Sequence, residues 1–134
     1  MTPEELISLA VEAMGNAYAP YSGFKVGAAL LCSDGTVYTG CNIENAAYSP
    51  TNCAERTAIF KAVSEGRRDF TAIAICGGKN GKITDICPPC GVCRQVLQEF
   101  CKADFPVYLA APDSYKTLTL AQLLPFGFGQ TTLN

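Results

Sequence analysis

Near the start of the chain Leu6, Leu9, Ala10, Ala13 and Ala17 recur at helical spacing, and Ile7, Val11 and Met14 widen that apolar stripe. Thr2 predicts the N-cap, Pro3 suits the first helical position and Glu5 closes a capping box, so a helix is expected to run to about Tyr18, ahead of Pro20. The pattern then changes. Phe24 to Leu31 is apolar, Ser33-Asp34-Gly35 is a turn signal and Thr36 to Cys41 is β-branched and aromatic, which together predict a hairpin. Asn42 to Pro50 is a polar loop leaving a strand end, a common place for ligand contacts. A second helix is expected from near Cys53, capped by Asn52, with Ala58, Ile59, Ala62 and Val63 on its apolar face and an end near Gly66.

Phe70 to Cys76 is an almost unbroken apolar run, as in a strand buried on both faces, and Gly77-Gly78-Lys79-Asn80-Gly81 is expected to break it. A third helix is predicted from near Cys90, with Val96, Leu97 and Phe100 on one side. Pro106 to Ala110 reads as another buried strand, Tyr115 to Thr119 as a last short one and Ala121 to Leu124 as one helical turn. The tail sets Phe126 and Phe128 among glycines. Strand–helix–strand alternation in the second half implies right-handed crossovers and parallel strands, hence an α/β fold with helices covering a sheet.

Length and composition narrow this picture. The 134 residues fit a single domain, 1–134, and 49% hydrophobic with 16% charged residues describes a cored domain and not a disordered chain. Net charge is −2, Lys25 is isolated and Arg67-Arg68 is a lone pair, so no nucleic-acid surface is indicated. No apolar run is long enough to cross a bilayer, and no membrane partner is expected. The opening Met1-Thr2-Pro3-Glu4-Glu5 is acidic where a signal peptide is basic. The eight cysteines therefore read as reduced thiols of a cytoplasmic protein, where Cys-x-x-Cys points to metal or redox chemistry. There is no histidine, so catalysis must use Cys, Glu, Asp, Lys or Tyr.

Candidate chemistry gathers in Cys53-Ala54-Glu55-Arg56 and Pro89-Cys90-Gly91-Val92-Cys93. Three thiolates can hold Zn2+, one per chain, with a fourth position open to water, and a glutamate beside them is free to move protons. Helix N-termini lower thiol pKa values, and Cys90 and Cys93 project to one side of a helical turn. Three thiolates and one zinc ion sum to −1, and Arg56, one turn from Cys53, is expected to donate to the sulfurs and draw off charge. Cys87-Pro88-Pro89-Cys90 overlaps the second motif. Cys90 and Cys93 are preferred as ligands because Pro89 ends an extended segment where a helix can start, whereas Cys87 is held off by two prolines. A structural zinc site with Cys87 as fourth ligand, or a redox pair of Cys87 and Cys90, are the competing readings. Cys32, Cys76 and Cys101 read as buried thiols, and Cys41, at a strand end, as structural.

Cys-Ala-Glu-Arg followed by Pro-Cys-Gly-x-Cys-Arg-Gln resembles the zinc-dependent cytidine deaminases. The likeness extends through Pro20-Tyr21-Ser22-x-Phe24-x-Val26-Gly27-Ala28-Ala29, Gly40-Cys41-Asn42-Ile43-Glu44-Asn45-Ala46-Ala47-Tyr48 and Leu123-Leu124-Pro125 with Phe128. Cys53, where other branches of the superfamily usually carry His, resembles the small homotetrameric nucleoside deaminases. The resemblance implies a three-layer α-β-α fold with a mixed five-stranded sheet and helices on both faces. It implies hydrolytic deamination of cytidine and 2'-deoxycytidine, in pyrimidine salvage, with Glu55 as the catalytic proton shuttle and Cys53, Cys90 and Cys93 on zinc. By the same resemblance Asn42 and Glu44 bind the ribose hydroxyls, Phe24 packs in the nucleoside pocket, and backbone groups around Ala54 and Cys90 read the base edge. Phe128 would stack on the base in a neighbouring subunit's site. Blasticidin S is the alternative cytosine nucleoside, although Asn-Ile-Glu-Asn-Ala-Ala-Tyr fits the ribonucleoside enzymes better.

Overall fold

A computed structural model describes residues 1–134. The elements are α1 (Pro3–Met14), β1 (Phe24–Cys32), β2 (Val37–Cys41), α2 (Ala54–Ser64), β3 (Phe70–Lys79), α3 (Gly91–Phe100), β4 (Pro106–Ala110), β5 (Tyr115–Thr119), and the short helices α4 (Leu120–Leu123) and α5 (Gln130–Leu133). They build one five-stranded sheet in the order β2-β1-β3-β4-β5. Only β3 and β4, which α3 connects, are parallel; the other three pairings are antiparallel. The mixed sheet follows from the chain order, since the hairpin must be antiparallel and the crossover through α3 must be parallel.

Alternation along the strands sends side chains to two cores. On one face Leu6, Ala10 and Met14 of α1 pack on Ala29, Ala72, Ala74 and Cys76. On the other, Ala58 and Ile59 of α2 and Leu97 of α3 pack on Leu30, Ile73, Ile75, Val107 and Leu109. This is the expected three-layer arrangement. Two glycines set how closely the helices approach. A Cβ at Gly27 would lie 2.0 Å from the Ala10 carbonyl oxygen, and one at Gly40 would lie 2.4 Å from that of Ala54. Gly40 therefore fixes α2, and with it the segment Cys53–Glu55, directly against β2.

Three expectations need correction. The first helix ends at Met14 and not near Tyr18. Three-residue turns follow, with Asn16 N–H donating to Ala13 O and Ala17 N–H to Met14 O, because Tyr18 is drawn into a parallel bridge with Ile43. Cys53, not Asn52, occupies the N-cap of α2, and the Asn52 amide donates to the Thr57 hydroxyl at 3.1 Å. The glycine pair does not break β3. Gly77 and Gly78 pair with Val26 and Lys25, and the strand continues to Lys79. A missing side chain there admits other atoms: a Cβ at Gly78 would lie 1.8 Å from the Lys82 carbonyl oxygen. The tail also carries a short helix that the sequence pattern does not predict, α5, started by Gly129 N–H donating to the Thr132 hydroxyl at 3.1 Å.

Candidate active site

The first turns of α2 and α3 meet at one end of the sheet. Cys53 and Cys90 are the N-cap residues of these helices, both with extended backbone (φ −77°, ψ 156° and φ −68°, ψ 170°), and neither side chain caps its own helix. Freed from capping, both thiols turn toward Cys93, which is fully buried in the first turn of α3. The Cys53 and Cys90 sulfurs are 3.7 Å apart and those of Cys90 and Cys93 3.6 Å. All three lie within 4.8 Å of one another. Zinc–sulfur bonds of about 2.3 Å at tetrahedral angles place sulfurs roughly 3.8 Å apart, so this donor set fits zinc with one coordination position left over. Cys87 is not one of the cluster, and burial pushes its thiol up to about 12. Its sulfur occupies the niche left by Gly77, where an added Cβ would meet it at 2.9 Å and the Phe24 ring at 3.1 Å.

Two hydrogen-bonded anchors fix the helix starts. The Thr57 hydroxyl lies 3.1 Å from the carbonyl oxygens of both Cys41 and Cys53, tying the end of β2 to α2. Arg94 donates through Nε to the Pro89 carbonyl (2.8 Å) and through Nη1 to that of Leu123 (2.6 Å), so the turn before Cys90 is clamped onto α4. Gln95 donates to the Phe128 carbonyl at 2.8 Å, which anchors the tail.

The electrostatics follow from burial and pairing. A hydrogen bond from Cys93 is the largest influence lowering the Cys53 thiol, followed by one from Arg56, whose Nη2 lies 3.1 Å from the sulfur. Cys93 is raised in turn by its bond to Cys53 and by burial. Between Cys53 and Cys93 charge therefore gathers first on Cys53. Burial disfavours the charge on Arg56, but its bonds to Cys53 and Cys93 outweigh that and raise its pKa. Glu55 is only 3% exposed and carries no ion pair; burial pushes its carboxyl up to about 7, with the Cys53 thiolate adding to the rise.

Above the sulfurs opens a cavity of about 290 Å³, lined by Phe24, Asn42, Glu44, Cys53, Ala54, Glu55 and Cys90 among others. Seven of the residues singled out from the sequence are thus brought to one hollow, with Cys93 beneath it. Asn42 is nearly buried, and its amide clamps β1: Oδ1 accepts from Val26 N–H and Nδ2 donates to the Phe24 carbonyl, each at 2.8 Å. Glu44 accepts from the N–H groups of Tyr21 (3.0 Å) and Ser22 (3.1 Å) and from the Ser22 hydroxyl. These hydrogen bonds, the Ser22 hydroxyl first, lower its pKa.

Phe128 is not brought to the cavity of its own chain; the residue is 56% exposed. Arg56 lies behind the sulfurs and not on the cavity wall. Sequence reasoning missed Ser22, Val26, Thr51, Asn52 and Pro88 as wall residues, and weighed Cys87 only as a metal ligand or redox partner, whereas it lines the cavity. Ser22 and Val26 lay in a motif already in view. Thr51 and Asn52 immediately precede Cys53, and adjacency to a ligand was the signal that could have found them.

Comparison with known proteins agrees with this geometry. Residues 1–109 match the family model described as the cytidine and deoxycytidylate deaminase zinc-binding region. A cytidine deaminase of Sporosarcina psychrophila is 52% identical over 135 aligned positions, covering 100% of this chain and 96% of the relative. One from Halalkalibacterium halodurans is 50% identical, covering 100% and 99%. The crystal structure of cytidine deaminase from Burkholderia pseudomallei superposes with a TM-score of 0.89 at 46% identity, over 96% of this chain and 100% of that one.

Proposed function

The chain belongs to the cytidine and deoxycytidylate deaminase family, and we propose that it hydrolyses cytidine and 2'-deoxycytidine to uridine and 2'-deoxyuridine with release of ammonia. The observation that carries this reading is the pairing of three convergent cysteine sulfurs with a buried, unpaired glutamate at the floor of an open cavity.

Cys53, Cys90 and Cys93 would hold zinc, which when bound would supply Lewis-acid activation of a water molecule. Glu55 takes a proton from that water and delivers it to the pyrimidine ring nitrogen. The water oxygen bonds to the ring carbon bearing the amino group. Glu55 then takes the second proton from that oxygen and passes it to the amino nitrogen, the C–N bond breaks, the oxygen becomes the product carbonyl and ammonia leaves. Burial of Glu55 suits this task, since a carboxyl that is not locked into an ion pair can both accept and return a proton near neutral pH. Arg56 draws electron density from Cys53 through its hydrogen bond.

At the other end of the cavity Glu44 and Asn42 receive the sugar hydroxyls, and the Phe24 ring forms a wall of the nucleoside pocket. First-turn N–H groups of α2 and α3, around Ala54 and Cys90, have no intrahelical partner and are available to the base edge. Phe128 is assigned to the site of a neighbouring subunit in a homotetramer; its exposure and its Gln95 anchor support this. The residence proposed is the cytoplasm and the role pyrimidine salvage; no helix is long and apolar enough to cross a membrane.

The test is cytidine turnover, followed by ultraviolet loss and ammonia release, before and after zinc removal with a chelator. Activity that vanishes on chelation and returns with stoichiometric zinc is the expected result. Zinc binding with no turnover of either nucleoside would leave a structural metal site and overturn the proposal.

A further inference from the structure

We propose that Lys79 is a positioning residue for Glu44: from the end of β3 it holds the Tyr21–Gly23 turn where that turn's donors fix the carboxylate.

The turn belongs to no strand or helix, and Ser22 is its hub. The Ser22 N–H and hydroxyl both donate to Glu44, and the same hydroxyl accepts from Phe24 N–H at 3.0 Å. On its far side the Ser22 carbonyl accepts from Lys79 Nζ at 2.5 Å. The next residue is held by the same strand end, with Asn80 N–H donating to the Gly23 carbonyl at 2.7 Å. The lysine lies directly on the turn: a Cβ at Gly23, which has φ +69°, would lie 3.2 Å from its Nζ. The continuation of β3 through Gly77 and Gly78 brings Lys79 to this position, opposite Phe24 in the register. The turn is therefore clamped between an anion on the pocket side and a cation on the solvent side. Without the cation, the donors that orient Glu44 keep their bonds but lose the brace behind Ser22, and the carboxylate gains freedom.

This inference rests on the reading of Glu44 as a sugar contact. That reading makes a specific demand: the loss on removing Lys79 must appear only with a ligand that carries ring hydroxyls.

The test uses full-length, zinc-loaded Lys79→Met, Lys79→Arg and Glu44→Gln proteins. Each is assayed for cytidine turnover and for the inhibition constant of 2',3'-dideoxycytidine, which lacks both ring hydroxyls, as a competitor. Lys79 is exposed, so Met, which keeps most of the stem, leaves the core untouched. The expected result is a KM for cytidine raised roughly 3- to 10-fold in Lys79→Met, as for one weakened charge-assisted contact, with kcat within about twofold. Lys79→Arg restores KM, and the dideoxycytidine constant is the same in all the Lys79 proteins. An unchanged cytidine KM in Lys79→Met, an equal loss on both ligands, or failure of Lys79→Arg to rescue would each overturn the proposal. Glu44→Gln separates the two layers. If it raises the cytidine KM while Lys79→Met does not, only the role of Lys79 falls; if it leaves KM unchanged, the sugar-side reading of Glu44 falls and this inference with it.

Discussion

Arg56 reaches back one helical turn to place Nη2 3.1 Å from the Cys53 sulfur. The two residues are three apart on α2, so the contact is dictated by helical spacing once Cys53 stands at the N-cap. With zinc bound, three thiolates leave the centre at −1, and this guanidinium is the nearest source of compensation. Replacing Arg56 with Gln is predicted to lower kcat roughly 10- to 100-fold, with Arg56→Lys in between. Steady-state kinetics on zinc-loaded protein checks this; unchanged zinc affinity and turnover would remove Arg56 from the account.

Cys87 is predicted to be dispensable for metal. It sits in the niche left by Gly77 as a neutral thiol, outside the three-sulfur cluster. Cys87→Ser should retain about one zinc per chain after gel filtration, whereas serine at Cys53, Cys90 or Cys93 should each lose it. Metal analysis of the four proteins decides. Zinc loss in Cys87→Ser would revive the closed, four-thiolate structural site.

Gly40→Ala is predicted to affect stability and metal together. The added Cβ would meet the backbone of α2, 2.4 Å from Ala54 O and 2.6 Å from Ala58 N, so the helix carrying Cys53 and Glu55 has to move. Overpacking of this kind costs about 1–3 kcal/mol. Denaturant unfolding and zinc titration should both show a loss; a stable variant with unchanged zinc affinity would mean that α2 is not seated through Gly40.

Much of this was legible in the sequence for a physical reason. The hairpin, the buried strands and α3 are written in period-2 or helical patterns that packing then respects. The three sulfurs and Glu55 were legible because two first-turn motifs converge at one end of a sheet. What failed was local to places where tertiary contacts override propensity. Gly77 and Gly78 read as a break, yet they extend β3 because the strand partner and the approaching Lys82 carbonyl both need a bare backbone. Tyr18 read as helical, yet it bridges to Ile43. Ser22 was invisible as a hub, since nothing in a turn tripeptide says that a carboxylate from residue 44 will return to it.

The buried Glu55 carboxyl predicts a pH signature in metal-free protein. Its folded pKa is raised from 4.5 to about 7, so between these values the folded state holds more protons than the unfolded state. Stability from this residue is therefore fully present below about pH 4.5 and falls as pH rises through 7, by on the order of 3 kcal/mol in total. Glu55→Gln removes the ionisation, so the wild-type minus variant difference in unfolding free energy should decline across that window. A flat difference would place Glu55 in contact with a compensating charge.

The most direct test of the central claim measures zinc content and cytidine turnover together, in wild type and in Glu55→Gln. The account predicts about one zinc per chain in both proteins, with turnover in wild type and a loss of at least roughly 10³-fold in the variant. Loss of zinc from Glu55→Gln would make the glutamate a ligand. Full turnover with zinc retained would mean that Glu55 does not move the proton, and would contradict the account.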